Sequence, residues 1–323
     1  MDKHEFAILG AGALGSIIGA HLSRSGRSVI MLARGQRALA IEREGIRIKG
    51  LVEFTQPVPV LTDAPRFRGA EVFIVAIKAL GTESALEPFR HANVGSAFSI
   101  QNGLTKNEQL AALWGRERVL GALADTSGQL LASGEILFTR NEQLCIGELD
   151  GASSARARHI AGIIDGAGVR ASAVSDIESL EWSKFAAWAG MMVLSVTTRA
   201  VTWKCLVDPD LALVLARLVR EVGALAAARK IPLSDRSPLP VAMILRGSEA
   251  EATAIIQEFG RDLRSMAPEH RMSSLQDLEA GRALEIEETL GHAVRDAARL
   301  NLSLPILQSF YSLVAGIDRI RRS

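Results

Sequence analysis

Phe6-Ala-Ile-Leu-Gly-Ala-Gly-Ala-Leu-Gly15 decides how the rest of this chain is read. A short apolar run ends directly on Gly10-x-Gly12-x-x-Gly15, and small apolar residues continue from Ser16. The pattern predicts a buried strand, a tight turn and a helix. Each glycine has its own task in such a unit. Gly10 permits the turn, Gly12 lets backbone approach a pyrophosphate, and Gly15 lets helix and strand pack closely. The helix N-terminus then offers free N–H groups and a positive dipole end to an anion. Gly10, Ala11, Gly12, Ala13, Leu14 and Gly15 are therefore the expected dinucleotide contacts.

Ser28-Val-Ile-Met-Leu32 reads as the second strand, followed by Ala33-Arg34-Gly35-Gln36-Arg37. In this architecture the residue closing the second strand reads the adenosine ribose. A carboxylate there selects NAD, and an arginine accommodates a 2′-phosphate. No Asp or Glu lies between Ser28 and Ile41. Arg34 and Arg37 are the available cations, and Arg34 falls at the strand end, so NADP(H) is the expected cofactor. Solvated surface arginines are the alternative.

The chain has 323 residues and a formal net charge of +1, with 48% hydrophobic and 23% charged residues. That is the composition of a globular enzyme large enough for two cores. The charge balance points to neither nucleic acid nor an anionic membrane as partner. Cys145 and Cys205 match no metal or redox spacing and read as reduced thiols. The six histidines are scattered, so no metal site is expected. The longest apolar stretch, Phe185–Val196, is too short to span a bilayer. The N-terminus enters the first strand directly, so no leader is expected and cytoplasmic location follows by default.

The first half alternates strand and helix patterns. Glu71–Ile77 is a continuous apolar run of the kind a parallel strand buried on both faces requires. Gly95–Ile100 and Val119–Ala124 predict further strands. Glu135–Thr139 and Gln143–Ile146 predict a hairpin around Arg140-Asn141-Glu142, and a last strand is expected near Val169–Val174. From Ile177 onward the pattern is helical, with breaks at Asp208-Pro209, Ile231–Pro240 and Ala267–Met272. Leu211–Arg229 and Ser274–Arg299 read as long amphipathic helices. The expected fold is an α/β N-terminal Rossmann domain over residues 1–176, followed by an all-α C-terminal domain over 177–323. A ligand cleft is expected where the strands' carboxyl ends open.

Two polar residues fall at expected strand ends. Lys78 follows Glu71–Ile77, and Asn102 follows Gly95–Ile100. A solvated charge and an Asn-Gly turn are the plain alternatives. Glu181-Trp182-Ser183-Lys184 opens an otherwise apolar helix, and Lys184, Trp188, Met192 (or Met191) and Ser195 share one face of it. A lysine paired with Glu178 or Glu181 fits that spacing as well. Ser274-x-x-Asp277 reads as a helix cap, and Glu285, Glu287 and Glu288 as an acidic face.

Together these segments resemble the ketopantoate reductase (2-dehydropantoate 2-reductase) family over nearly the whole chain. The resemblance rests on Gly10–Gly15, Leu32-Ala-Arg-Gly35, Ile77-Lys78, Gln101-Asn-Gly103, Trp182-Ser-Lys184 and Ser273-Ser-Leu-Gln-Asp-Leu-Glu-Ala-Gly-Arg-Ala-Leu-Glu-Ile286. Leu302-Ser-Leu-Pro305 through Tyr311 also looks like the family's closing segment. The resemblance implies an NADP-dependent oxidoreductase acting on CH–OH groups, converting 2-dehydropantoate to pantoate in pantothenate biosynthesis. It implies Lys184 as proton donor to the carbonyl oxygen and Glu285 as a catalytic glutamate near substrate and cofactor. Arg34 would meet the 2′-phosphate, Lys78 and Asn102 the cofactor, and Asn102 and Ser273 the substrate. The family helix usually carries asparagines one and two turns after the lysine, where this chain has Trp188 and Met192. That departure points toward a bulkier, more apolar 2-oxo or 2-hydroxy acid as an alternative substrate, both residues lining its site. A non-catalytic NADP(H)-binding sensor is the other alternative. The expected partner is a small 2-oxo acid, with neither nucleic acid nor membrane, and a homodimer is one assembly open to the chain.

Overall fold

The computed structural model describes residues 4–322. By backbone contacts the chain forms two compact units, one of residues 1–101 and 106–177, the other of 102–105 and 178–323.

The N-terminal unit opens with β1 (His4–Leu9), α1 (Ala13–Arg24), β2 (Val29–Leu32) and α2 (Gly35–Glu44). Strands β3 (Ile46–Gly50), β4 (Phe54–Gln56), β5 (Val60–Leu61), β6 (Gly69–Val75) and β7 (Asn93–Ser99) follow, with the short helix α3 (Thr82–Leu86) between the last two. Helix α4 (Lys106–Trp114) precedes a pair of long strands, β8 (Leu120–Leu130) and β9 (Ile136–Glu148), and α5 (Ala155–Gly166) and β10 (Ala171–Ala173) complete the succession. The first sheet runs β5-β2-β1-β6-β7, every pair parallel. Phe6 and Ile8 face one core, while Ala7 and Leu9 face the other. A strand covered on both sides must be apolar on both sides, which is why β1 reads as a continuous run. Strand order reverses at β1, with β2 on one side and β6 on the other. This switch point is where such sheets hold ligands.

The second sheet runs β10-β9-β3-β4, with β8 antiparallel to β9. The hairpin expected at Arg140-Asn141-Glu142 is absent. Residues Ile136–Glu148 are one strand, and the turn lies earlier, between Leu130 and Ile136. Asn141 does not turn the chain. Its side-chain amide donates to Gly168 O at 3.1 Å and its Oδ1 accepts from Arg170 N at 3.0 Å. The register shifts after Asp125 and Ser127 absorb the irregularity that reads as a turn.

The C-terminal unit is helical: α6 (Ile177–Thr198), α7 (Thr202–Val207), α8 (Pro209–Ala228), α9 (Val241–Arg246), α10 (Glu249–Met266), α11 (Ser273–Glu279), α12 (His292–Arg299) and α13 (Pro305–Arg322). Asp208 caps α8, accepting from Asp210 N and Leu211 N at 3.1 and 3.0 Å. Ser248 and Glu251 form a capping box on α10. The single helix expected over Ser274–Arg299 is broken in two. Gly281, at φ +72°, takes a left-handed conformation after α11, and one π-helical turn, Glu287–Gly291, leads into α12. The expected Ser274–Asp277 cap is also absent. Helix α11 begins at Ser273 without a side-chain cap, and Asp277 instead accepts from Arg282 Nε at 2.8 Å.

Candidate functional site

The glycine loop has the geometry that each glycine's task requires. Gly10 sits at φ +109°, and a Cβ there would fall 2.7 Å from Ile77 Cγ2 and 2.8 Å from Ala76 O. A Cβ on Gly15 would lie 2.1 Å from Gly10 O, so helix and loop approach too closely for any side chain. Gly12 is the opposite case, with nothing within 4 Å of the position its Cβ would take. It caps α1 without a side-chain bond, and no acid stands in the first turn. The opening amides of Ala13, Leu14 and Gly15 have no intrahelical acceptor. Open space, unpaired N–H groups and a positive dipole end suit an anionic pyrophosphate.

Gly10 N donates to Leu32 O at 3.0 Å, tying this loop to the end of β2. Beyond β2 the two arginines separate in role. Arg34 is exposed at the start of α2, with no acid in that helix's first turn. Among the described residues it makes no hydrogen bond. Arg37 is half-buried and fully engaged: Nε donates to Ala11 O at 3.1 Å, Nη2 to Ser16 Oγ at 3.2 Å and Nη1 to Gly134 O at 2.8 Å. Burial, and after it the nearby Arg47 charge, lowers its pKa from the ordinary arginine value. Arg37 is thus a strut between the glycine loop and the β8–β9 turn, leaving Arg34 as the open cation.

Lys78 lies three residues beyond β6, which ends at Val75 rather than at Ile77. Its side chain is exposed, and its carbonyl accepts from Gln101 Nε2 at 3.0 Å. Asn102 is half-buried and groups with the helical unit. The following Gly103 lies against the π turn, where a Cβ would meet Thr289 Cγ2 at 3.3 Å.

In the helical unit Lys184 is half-buried on α6, in an otherwise buried run. Trp188 and Met192 are 7% and 2% exposed and belong to the unit's core. Both also line a small recess with Ser274, Asp277, Leu284 and Glu285. The fold therefore brings Glu285 to Trp188 and Met192, from which it lies far in sequence. Ser273 is half-buried and is not among the lining residues. The lining serine is its neighbour Ser274, whose buried Oγ has no hydrogen-bond partner among the described residues. Met191 is buried and is not among the lining residues, and Ser195 Oγ is buried with no hydrogen-bond partner among the described residues. The expected acidic face divides. Glu287 is exposed, paired with Arg295 at 2.9 Å and bonded by Tyr311 Oη at 2.8 Å, while Glu285 turns to the recess. Sequence periodicity did not point to Ser274 and Leu284 as recess lining, because a helical wheel does not show what a separate element supplies. Cys145 and Cys205 are both buried. Among the described residues no group of His, Cys, Asp or Glu could hold a metal, and no helix is long and apolar enough to cross a membrane.

The family profile described as ketopantoate reductase PanE/ApbA matches residues 6–151, and its C-terminal counterpart matches residues 176–318. The 2-dehydropantoate 2-reductase of Archaeoglobus fulgidus is 30% identical over 318 residues, covering 98% of this chain and 99% of that protein. This chain belongs to the ketopantoate reductase family. Its fold is that of solved members. The 2-dehydropantoate 2-reductase of Methylococcus capsulatus superposes with a TM-score of 0.81 at 25% identity, over 98% of each chain. D-mandelate dehydrogenase, in its ternary structure with NADH and anilino(oxo)acetate, shares the fold with a TM-score of 0.84 at 18% identity, over 98% of this chain and 99% of that one.

Proposed function

We propose that this family member is an NADPH-dependent reductase of a 2-oxo acid, with 2-dehydropantoate, the precursor of pantoate in pantothenate biosynthesis, as its first candidate substrate. The observation that carries the reading is the full-length likeness to the Archaeoglobus fulgidus 2-dehydropantoate 2-reductase. The open approach at Gly12 and the unengaged Arg34 support a phosphorylated dinucleotide as its cofactor. When bound, the nicotinamide supplies the hydride that the carbonyl carbon receives.

The chain's own residues would bind, orient and move a proton. Ala13, Leu14 and Gly15 present amides to the pyrophosphate, and Arg34 presents a guanidinium to the 2′-phosphate. Lys78 and Asn102 complete the cofactor's binding, and Asn102 also orients the acid. Lys184 holds a proton on Nζ beside the carbonyl oxygen. As negative charge grows on that oxygen, the ammonium stabilises it and then transfers the proton. Glu285 orients the substrate from the recess it lines with Trp188 and Met192.

A second reading, a bulkier and more apolar 2-oxo acid, is favoured by one observation. Trp188, Met192 and Leu284 put apolar surface beside Glu285. An apolar wall rejects a substrate hydroxyl only weakly and gives it no partner. The test is loss of NADPH absorbance with a panel of 2-oxo acids: 2-dehydropantoate, branched aliphatic and aryl members. The highest kcat/KM on 2-dehydropantoate supports the first reading and on a larger apolar acid the second. Tight NADPH binding without turnover of any panel member refutes both and leaves an NADP(H)-binding sensor.

A further inference from the structure

We propose that Gln101 is a positioning residue, whose buried carboxamide holds the loop carrying Lys78 and so sets the affinity for the dinucleotide. The inference rests on reading Lys78 as a cofactor contact. Gln101 is 7% exposed, two residues beyond β7. Its side chain makes three hydrogen bonds. Nε2 donates to Lys78 O at 3.0 Å and to Thr82 Oγ1 at 2.8 Å, and Oε1 accepts from Ser99 Oγ at 2.8 Å. Gln101 N donates in turn to Ser99 Oγ at 3.2 Å.

The neighbours dictate which way the amide points. Thr82 Oγ1 donates its own proton to Ala79 O at 2.8 Å, so it can only accept from Gln101. Lys78 O is also an acceptor. Two acceptors on one side require the NH2 group there, and the Ser99 hydroxyl requires the oxygen on the other. Only a carboxamide of this length serves all three. Glutamate would set an oxygen against Lys78 O and Thr82 Oγ1. An apolar side chain would leave buried polar groups without partners, a larger cost than the lost bonds themselves.

The network joins β7 to the loop after β6. Lys78 is exposed, so its ammonium can reach a ligand, yet its backbone is fixed through the Gln101 bond. Ser99 and Thr82 are 1% and 3% exposed, which keeps water from competing for the network. The residue after Gln101 is Asn102, so one buried amide stands next to both expected contacts.

The test is a double-mutant cycle on the dissociation constant for NADPH, with Gln101→Met, Lys78→Ala and their combination. Gln101→Met is expected to raise the dissociation constant about tenfold, the order expected for losing a buried hydrogen-bond partner. In the Lys78→Ala background the same replacement should change it by less than about twofold, since coupled residues are non-additive. Equal losses in both backgrounds overturn the proposal and leave Lys78 as a contact. A Lys78→Ala protein that binds NADPH as tightly as wild type instead overturns the reading of Lys78, and the proposal with it. If Gln101→Met does not fold, Thr82→Val keeps the shape and removes one acceptor. It should weaken NADPH binding about threefold with Lys78 present and not at all without it. No weakening with Lys78 present refutes the proposal.

Discussion

Arg34 and Arg37 stand one turn apart in sequence, and their surroundings give them opposite roles. Arg34 is exposed and makes no hydrogen bond among the described residues, so its contribution depends on a ligand. A charge-assisted contact to a 2′-phosphate should make NADPH bind at least about tenfold tighter than NADH, about 1.4 kcal/mol. Arg34→Ala is expected to erase most of that gap in paired titrations. Equal affinity of the wild-type protein for both cofactors would refute the assignment. Lys184 is a half-buried cation in an apolar stretch of α6, where a long side chain can shelter its stem and keep its head reachable. If it donates the proton, Lys184→Ala should cut kcat by about two orders of magnitude or more and leave NADPH affinity nearly unchanged. A variant that keeps most of its turnover returns Lys184 to a structural ion-pair role.

At the level of elements, Arg37 shows how one side chain fastens a loop, a helix and a hairpin together. It grips Ala11 O, Ser16 Oγ and Gly134 O, spanning the glycine loop, α1 and the β8–β9 turn. Arg37→Ala should therefore weaken NADH and NADPH by the same factor, unlike Arg34→Ala, and lower stability by about 1–3 kcal/mol. A selective loss of NADPH would make it a phosphate ligand instead. Helix α1 also carries a pH-sensitive residue. His21 is buried, its Nδ1 bonds Ile17 O at 2.8 Å, and its ring meets Phe54 and Phe138 edge-on at 5.0 and 5.6 Å. Desolvation lowers its pKa, so the folded protein protonates this ring only below its ordinary value. The unfolded chain binds the extra proton first as pH falls past about 6.5, so stability declines there and levels off below the folded value. His21→Phe keeps the ring packing and removes the titration. Its melting temperature should fall less than the wild type's between about pH 7.5 and 5.5. Identical declines would place the pH dependence elsewhere.

Over the whole molecule, the recess residues also serve the core of the helical unit. Trp188 and Met192 are buried core side chains and recess lining at once. Replacing both with Asn should shift kcat/KM toward 2-dehydropantoate relative to larger apolar acids, and should cost several kcal/mol, about 2–5 for each large side chain removed. Loss of stability in a thermal melt without a change in the kcat/KM ratio would assign them to packing alone. The Rossmann unit was legible without coordinates because its signals are local. The Phe6–Gly15 run encodes strand, turn and helix within ten residues, and the β1 side chains are apolar on both faces because both faces are covered. The breaks at Asp208-Pro209 and Ala267–Met272 were legible for the same reason, since caps and prolines act on adjacent backbone. Local pattern failed where distant partners overrode it. Asn141 looks like a turn residue, but bonds to Gly168 and Arg170 hold it in a strand. The periodicity of Ser274–Arg299 looks like one helix, but Gly281 and the Asp277–Arg282 pair break it. Arg34 and Arg37 are alike as letters, and only folding showed that three distant oxygens already occupy one of them. Periodicity specifies which face of an element is apolar; which side chain meets which across the fold depends on contacts between residues far apart in the chain.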